Sequence, residues 1–256
     1  MLRILFSTLL VTMSGCKGGI NLFTVQDDLE LGQQLRDEIQ ADPATYPTLE
    51  RSEAPEAYAA LDAITGRVLA ADGIELRDEL AWEFRIIDDD TVVNAFAAPG
   101  GYVWIYTGLI QTLDNEDSFA GVIAHEVGHA DGRHSTEALT RVYGLGLLLD
   151  VVLGNDGASA LAGDLAEGLA GLEFSRANER DADNRSVAYL CDTPYAADSV
   201  AMFFEALGES NGPTFLSTHP APANRVQDVR QLAQDEDCST ERSGLTDFQA
   251  LRDSLP

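Results

Sequence analysis

The sequence predicts an α+β fold, mainly α, with one small antiparallel sheet. Two observations carry that reading. Three short stretches rich in β-branched and aromatic residues stand close together: "WEFRII" (82–87), "TVVNAFAA" (91–98) and "YVWIYTG" (102–108). On either side of them the spacing of apolar residues is helical, over Asp27–Gln40 and residues 55–71 before, and from about Asn115 onward after. The chain has 256 residues, enough for one domain with its own core, and its 45% apolar and 7% aromatic content is that of a globular chain, not a disordered one.

In chain order, "MLRILFSTLLVTMSGC" has one basic residue, Arg3, then an apolar run, then small residues before Cys16. This is the pattern of a signal peptide over residues 1–15, too short to span a bilayer. Met13-Ser14-Gly15-Cys16 resembles the bacterial lipobox, which implies that Cys16 is lipidated and becomes the first mature residue. Lys17 stands where an Asp would signal inner-membrane retention, so attachment to the outer membrane, facing the periplasm, is expected. Residues 16–26 read as a tether, 27–237 as the domain, and 238–256 as a polar, peripheral tail.

The first helix, "DDLELGQQLRDEIQ", carries Leu29, Leu35 and Ile39 on or near one face, and the second ends at Asp72-Gly73. Pro99-Gly100-Gly101 turns between the last two strands. "DSFAGVIAHEVGHADGRHS" reads as a single helix. "ALTRVYGLGLLLDVVLG" is apolar, but its uninterrupted run from Val142 to Leu149 is too short to cross a membrane and Asp150 ends it. "EFSRANERDADNRSVAYL", "AADSVAMFFEALGE" and "PANRVQDVRQLAQ" complete the helices. A net charge of −27 repels phosphate backbones and argues against a nucleic-acid partner. Beyond Cys16 the cysteines are Cys191 and Cys238, which an oxidising compartment would allow to pair.

Three of the four histidines fall within "AHEVGHADGRH" (124–134). On a helix, His125 and His129 share one face a turn apart and can bind one metal ion. Glu126, beside them, can hold and deprotonate the water that completes the metal's shell, then return the proton to a leaving amine. The apolar flank "FAGVIA" places this helix in a core, where an uncompensated carboxylate costs several kcal/mol, so a metal is the natural partner. A third ligand is needed, and "NERDAD" offers Glu179, Asp181 and Asp183. On a continuous helix His134 lies some 140° round from His129, so it is expected to cap the helix end and not to share the metal.

"NAFAAPGGYVWIYTG", "HEVGHADGRHS", "SRANERDAD" and "THPAPANR" occur in this order and together resemble zinc metallopeptidase family forty-eight, which includes HtpX, BepA, LoiP and the CAAX prenyl endopeptidases. The resemblance covers roughly Ile86 to Val229. It implies a zincin-like fold with the small sheet beside the active-site helix, and one Zn2+ per chain held by His125, His129 and Glu179. Asp183 would orient a histidine N–H. By the same resemblance His219 occupies the zinc's open position in a latent state and acts on the reaction when released. Asn94 and Ala95, on the strand beside the cleft, would contact an extended substrate. Arg225 would stabilise an oxyanion, in the substrate-binding set, or pair with an acid. The membrane-spanning helices of some branches and the tetratricopeptide domain of BepA-like members are not expected in these 256 residues, and the layout resembles LoiP-like lipoproteins. The implied activity is zinc-dependent endopeptidase action on unfolded or misassembled envelope proteins. Two other readings are an assembly factor for outer-membrane proteins with little proteolysis, and a maturation peptidase for one partner.

Overall fold

The computed structural model describes residues 19–153, 165, 168, 170–207, 214–219 and 224–256. The proposed signal peptide and Cys16 lie outside them.

Helix α1 (Val25–Ala41) starts earlier than Asp27 because Thr24 caps it: the Thr24 hydroxyl accepts the Asp27 N–H and the Asp27 carboxylate accepts the Thr24 N–H. Its buried apolar face is Leu31, Leu35 and Ile39, with Leu29 only partly covered. The end of the expected tether is not free. Phe23 is buried, and the Asn21 amide donates to Arg133 O and Thr136 Oγ1. Helix α2 (Pro55–Leu69) follows, then strands β1 (Glu83–Ile87), β2 (Ala95–Ala98) and β3 (Tyr102–Tyr106).

The sheet is mixed, which corrects the antiparallel expectation. Its order is β1-β3-β2: β2 pairs antiparallel with β3, but β1 runs parallel to it. The chain reverses direction after β1 and again after β2, and β3 returns between the two, so it pairs antiparallel with β2 and parallel with β1. Alternation then sorts the side chains. Ala95, Ala97, Val103 and Ile105 face one core with α2 and the central helix, while Phe96, Ala98, Tyr102 and Trp104 face a second core with α1. The last strand ends at Tyr106, where α3 (Thr107–Thr112) begins.

The central helix, α4 (Glu116–Asp131), is buried along its whole length. Carboxylates stake both ends. Glu116 accepts from Arg67, the Tyr195 hydroxyl and the Phe248 N–H, and Asp117 accepts from the Ala196 and Ser243 amides. At the other end Asp131 accepts the Leu76 N–H at 2.7 Å, Arg185 at 2.6 Å and the Tyr189 hydroxyl at 2.6 Å. Helix α4 does not run on through His134. Arg133 adopts a left-handed backbone (φ 56°), and α5 (His134–Leu153) starts there in a new direction, with a second break at Gly144 (φ 63°). Among the described residues no helix is long and apolar enough to cross a membrane.

Helix α6 (Arg176–Cys191) crosses α4, followed by α7 (Ser199–Leu207), α8 (Thr214–Thr218), α9 (Arg225–Asp235) and α10 (Asp247–Asp253). The C-terminal segment is not peripheral: Phe248 and Leu251 are buried, and the Phe248 ring stacks on Phe119 at 4.9 Å. Its sparse apolar residues form a face only once that segment winds into a helix. Cys191 and Cys238 form a disulfide across 47 residues, tying the end of α6 to the segment after α9.

Two expectations follow. A Cβ built on Gly128 of α4 would lie 3.0 Å from Ala182 O and 3.2 Å from Ala182 Cα, so Gly128→Val should wedge α4 from α6 and cost about 1–3 kcal/mol in urea unfolding. Reduction of the disulfide, compared by urea midpoint with and without reductant, should cost about 2–4 kcal/mol through the freed loop.

Candidate metal centre

The first two donors come from α4, whose N-cap Asn115 accepts the Ser118 N–H and fixes where the helix starts. The third comes from α6. Ser175 and Asn178 form its capping box, which puts Glu179 in its first turn and Asp183 one turn later. Because Gly128 has no side chain, the α6 backbone comes close enough for Glu179 to reach the histidines. The fourth donor, His219, follows α8. Its N–H donates to Phe215 O at 2.8 Å and its ring stacks on Phe215 at 4.2 Å.

These four side chains are fully buried and their donor atoms lie within 4.8 Å of one another. His125 Nε2 is 3.0 Å from His129 Nε2 and 3.4 Å from His219 Nδ1. Glu179 Oε1 is 3.0 Å from His219 Nδ1 and 3.4 Å from His129 Nε2, and Glu179 Oε2 is 3.6 Å from His125 Nε2. Four ligands at metal distances of about 2.0–2.1 Å in a tetrahedron stand about 3.3–3.4 Å apart, so the set has the size that a small tetrahedral ion needs. Glu126 is beside it, 3.6 Å from His219 Nε2, and neither of its oxygens makes a well-formed hydrogen bond with the protein.

Charge balance agrees with the geometry. Glu126, Glu179 and Asp183 are buried carboxylates that face one buried guanidinium, Arg225, an imbalance that a divalent cation cancels. In the protein without an ion the cluster draws protons instead. Burial lowers the His125 pKa, but hydrogen bonds to Asp183 and Glu179 outweigh it and carry it up to about 9. Burial holds His129 well below the ordinary histidine value. Burial raises the Glu126 carboxyl, against the pull of His219 and His125. For Glu179 burial is outweighed by the His219 charge and by hydrogen bonds from all three histidines, which hold it far below the carboxylate range.

Asp183 stands where the sequence places it: its Oδ1 lies 3.1 Å from His125 Nδ1. Arg225 does not face open cleft. Its Nε and one terminal nitrogen bond both Asp183 oxygens at 2.6 and 2.7 Å, the same terminal nitrogen reaches Glu179 Oε2 at 2.9 Å, and its guanidinium lies 4.0 Å over the Phe204 ring. Of its two expected roles the structure shows the pairing with acids, and the substrate-binding one is not seen, because α9 brings Arg225 behind the ligands. Asn94 and Ala95 are fully buried at the sheet edge. The Asn94 amide donates to Ala170 O, Phe215 N donates to Val93 O, and the Ser135 hydroxyl donates to Ala97 O at 2.7 Å, so the edge is covered by the protein's own groups.

A structural role, such as capping the helix end, was expected of His134. With α4 broken at Arg133, its ring turns back under His129, with Nδ1 to Nδ1 at 3.1 Å. The Asp131-Gly132 pair in "HADGRH" is the turn signal that would have divided this helix. Phe174, whose ring centre is 4.0 Å from that of His129, and Phe204 also escaped the sequence reading, since a lone aromatic carries no local signal of the site it will cover.

A model of peptidase family M48 matches residues 55–233, which include all four donors. The beta-barrel assembly-enhancing protease of Escherichia coli (strain K12) is 34% identical over 168 residues, 59% of this chain and 34% of that protein. The counterpart in Vibrio cholerae, named as putative, is 32% identical over 162 residues, 57% of this chain and 33% of its own. The mitochondrial metalloendopeptidase OMA1 of Saccharomyces cerevisiae is 31% identical over 185 residues, 64% of this chain and 53% of that protein. The chain thus spans about a third of these bacterial relatives and about half of the yeast one. With the family's model matched over most of its length and the His/Glu cluster at the centre of the match, the chain belongs to peptidase family M48.

Proposed function

We propose that the chain is a zinc-dependent endopeptidase, held latent in this conformation by His219. The observation that carries the reading is the buried set of three histidines and one glutamate at tetrahedral spacing, with the free carboxylate of Glu126 alongside. A His/His/Glu set with a fourth nitrogen favours zinc over harder cations. Zinc bound there supplies Lewis acidity to water and to a substrate carbonyl. His125, His129 and Glu179 hold it, and Asp183 fixes the His125 ring through Nδ1. Glu126, whose carboxyl burial raises, takes a proton from the attacking water at a carboxylate oxygen and delivers it to the departing amine nitrogen. His219 would have to leave the donor set for water and substrate to enter. An extended peptide then lies along β2, near Asn94 and Ala95, after the covering segment around Ala170 withdraws.

The substrate class in this reading is unfolded or misassembled envelope protein. It is supported by the lipobox-like segment ending at Cys16, by a disulfide suited to an oxidising compartment, and by relatives named beta-barrel assembly-enhancing protease. The lipid anchor and the outer-membrane face belong to the same proposal. The covered strand edge and the occupied fourth position also fit an assembly factor that binds clients and cuts few of them.

Cleavage of unfolded casein, followed with zinc content measured in the same samples, tests the reading. Wild type should carry one zinc per chain. Glu126→Gln should keep its zinc and lose cleavage by about 10²–10⁴-fold. Equal cleavage by both would remove Glu126 from the mechanism. His219→Ala should keep zinc on the other three ligands and cleave several-fold faster than wild type. A slower His219→Ala would assign His219 to the reaction and not to latency.

A further inference from the structure

We propose that His134 is a positioning residue for the metal centre: it accepts the Nδ1–H of His129 and hands its own Nε2–H to Asp181. The inference rests on the metal centre proposed above and adds to it two residues outside the ligand set.

His129 turns its Nε2 into the cluster, 3.0 Å from His125 Nε2 and 3.4 Å from Glu179 Oε1. An imidazole that ligates through Nε2 carries its proton on Nδ1 and needs an acceptor there to fix the tautomer and the ring angle. At His125 that acceptor is a carboxylate, Asp183. At His129, among the described residues, no carboxylate takes the place; His134 Nδ1 stands there at 3.1 Å, between two buried rings set nearly at right angles. For His134 to accept, its proton must be on Nε2, which lies 3.4 Å from Asp181 Oδ2. Asp181 is in turn bonded by Arg185 Nε at 2.7 Å, and Arg185 reaches Asp131 of α4 at 2.6 Å. The relay therefore runs from a buried ligand to a half-exposed carboxylate and closes on the helix that carries the ligand.

The backbone is shaped for this contact. The left-handed Arg133, held by its side chain on Asp28 and Phe23 O, turns the chain so that His134 lies beneath His129. Such a conformation is strained in a non-glycine residue, and the surrounding bonds fix it. Gly132 leaves the space: a Cβ there would come within 2.5 Å of His134 Nε2.

The test uses the full chain and zinc. With four histidines the long-range proton–nitrogen spectrum of the imidazoles is simple, and the zinc-loaded wild type should show His129 protonated at Nδ1 and His134 at Nε2. Chelator competition should show zinc affinity falling about 10–100-fold in His134→Phe, the usual effect of losing a ligand's outer partner. His134→Asn, whose Oδ1 can replace Nδ1 as acceptor, should recover part of that loss, and Asp181→Ala should lose less than His134→Phe. A His134 proton on Nδ1, or wild-type zinc affinity in a folded His134→Phe, would overturn the relay while leaving the metal centre in place. The wild-type spectrum decides the point even where His134→Phe does not fold. A wild type that binds no zinc would overturn the centre itself and this inference with it.

Discussion

Charge compensation in a dry volume is the constraint on which the rest of the molecule depends. Three carboxylates and three histidines share the core with one guanidinium, and none is exposed by more than a few per cent. In such surroundings an uncompensated charge costs several kcal/mol, a large share of a domain's margin of stability. Two devices meet the cost. Arg225 reaches the ligands from behind and neutralises part of the negative charge, and a divalent ion would balance the rest. Hydrogen bonds to Asp183 and Glu179 carry the His125 pKa up, and the histidines in turn hold Glu179 down.

That compensation requires placement to within a few tenths of an ångström, and much of the scaffold serves it. Helix α4 is surrounded on every side and tied at both ends through buried carboxylates to distant parts of the chain, including the C-terminal helix. Helix α6 meets it at Gly128 with backbone against side-chain stub, which is what allows a glutamate from one helix to reach histidines of the other. The disulfide joins the far end of α6 to the segment that follows α9, so the helices that bring Glu179 and Arg225 are linked covalently as well as through Asp183.

The same closeness shuts the site. His219 completes the donor set from one side, and the segment from Ala170 to Phe174 covers the sheet edge from the other. That segment is bonded to Asn94 and to the carbonyl of Thr218, next to His219. The two covers thus touch each other. In the proposed reading, a peptide that displaced one cover would loosen the other and so free His219.

The sequence by itself determined the chemistry. His125-Glu126-x-x-His129 needs only a helix to become a half-built metal site, and helical spacing is a local property. It also indicated where strands and helices lie, since β-rich and helix-periodic stretches are read residue by residue. Contacts between distant segments were settled only by the tertiary structure. The parallel pairing of β1 with β3 depends on β3 returning between β1 and β2. The integration of Phe248 depends on a partner, Phe119, more than a hundred residues away. Arg225 carries no local sign of whether it will face a substrate or a pair of acids. His134 shows the limit most sharply: one left-handed residue separates a histidine on the wrong face of a helix from one 3.1 Å from His129, and that backbone conformation is held by Asp28 and Phe23, more than a hundred residues earlier in the chain.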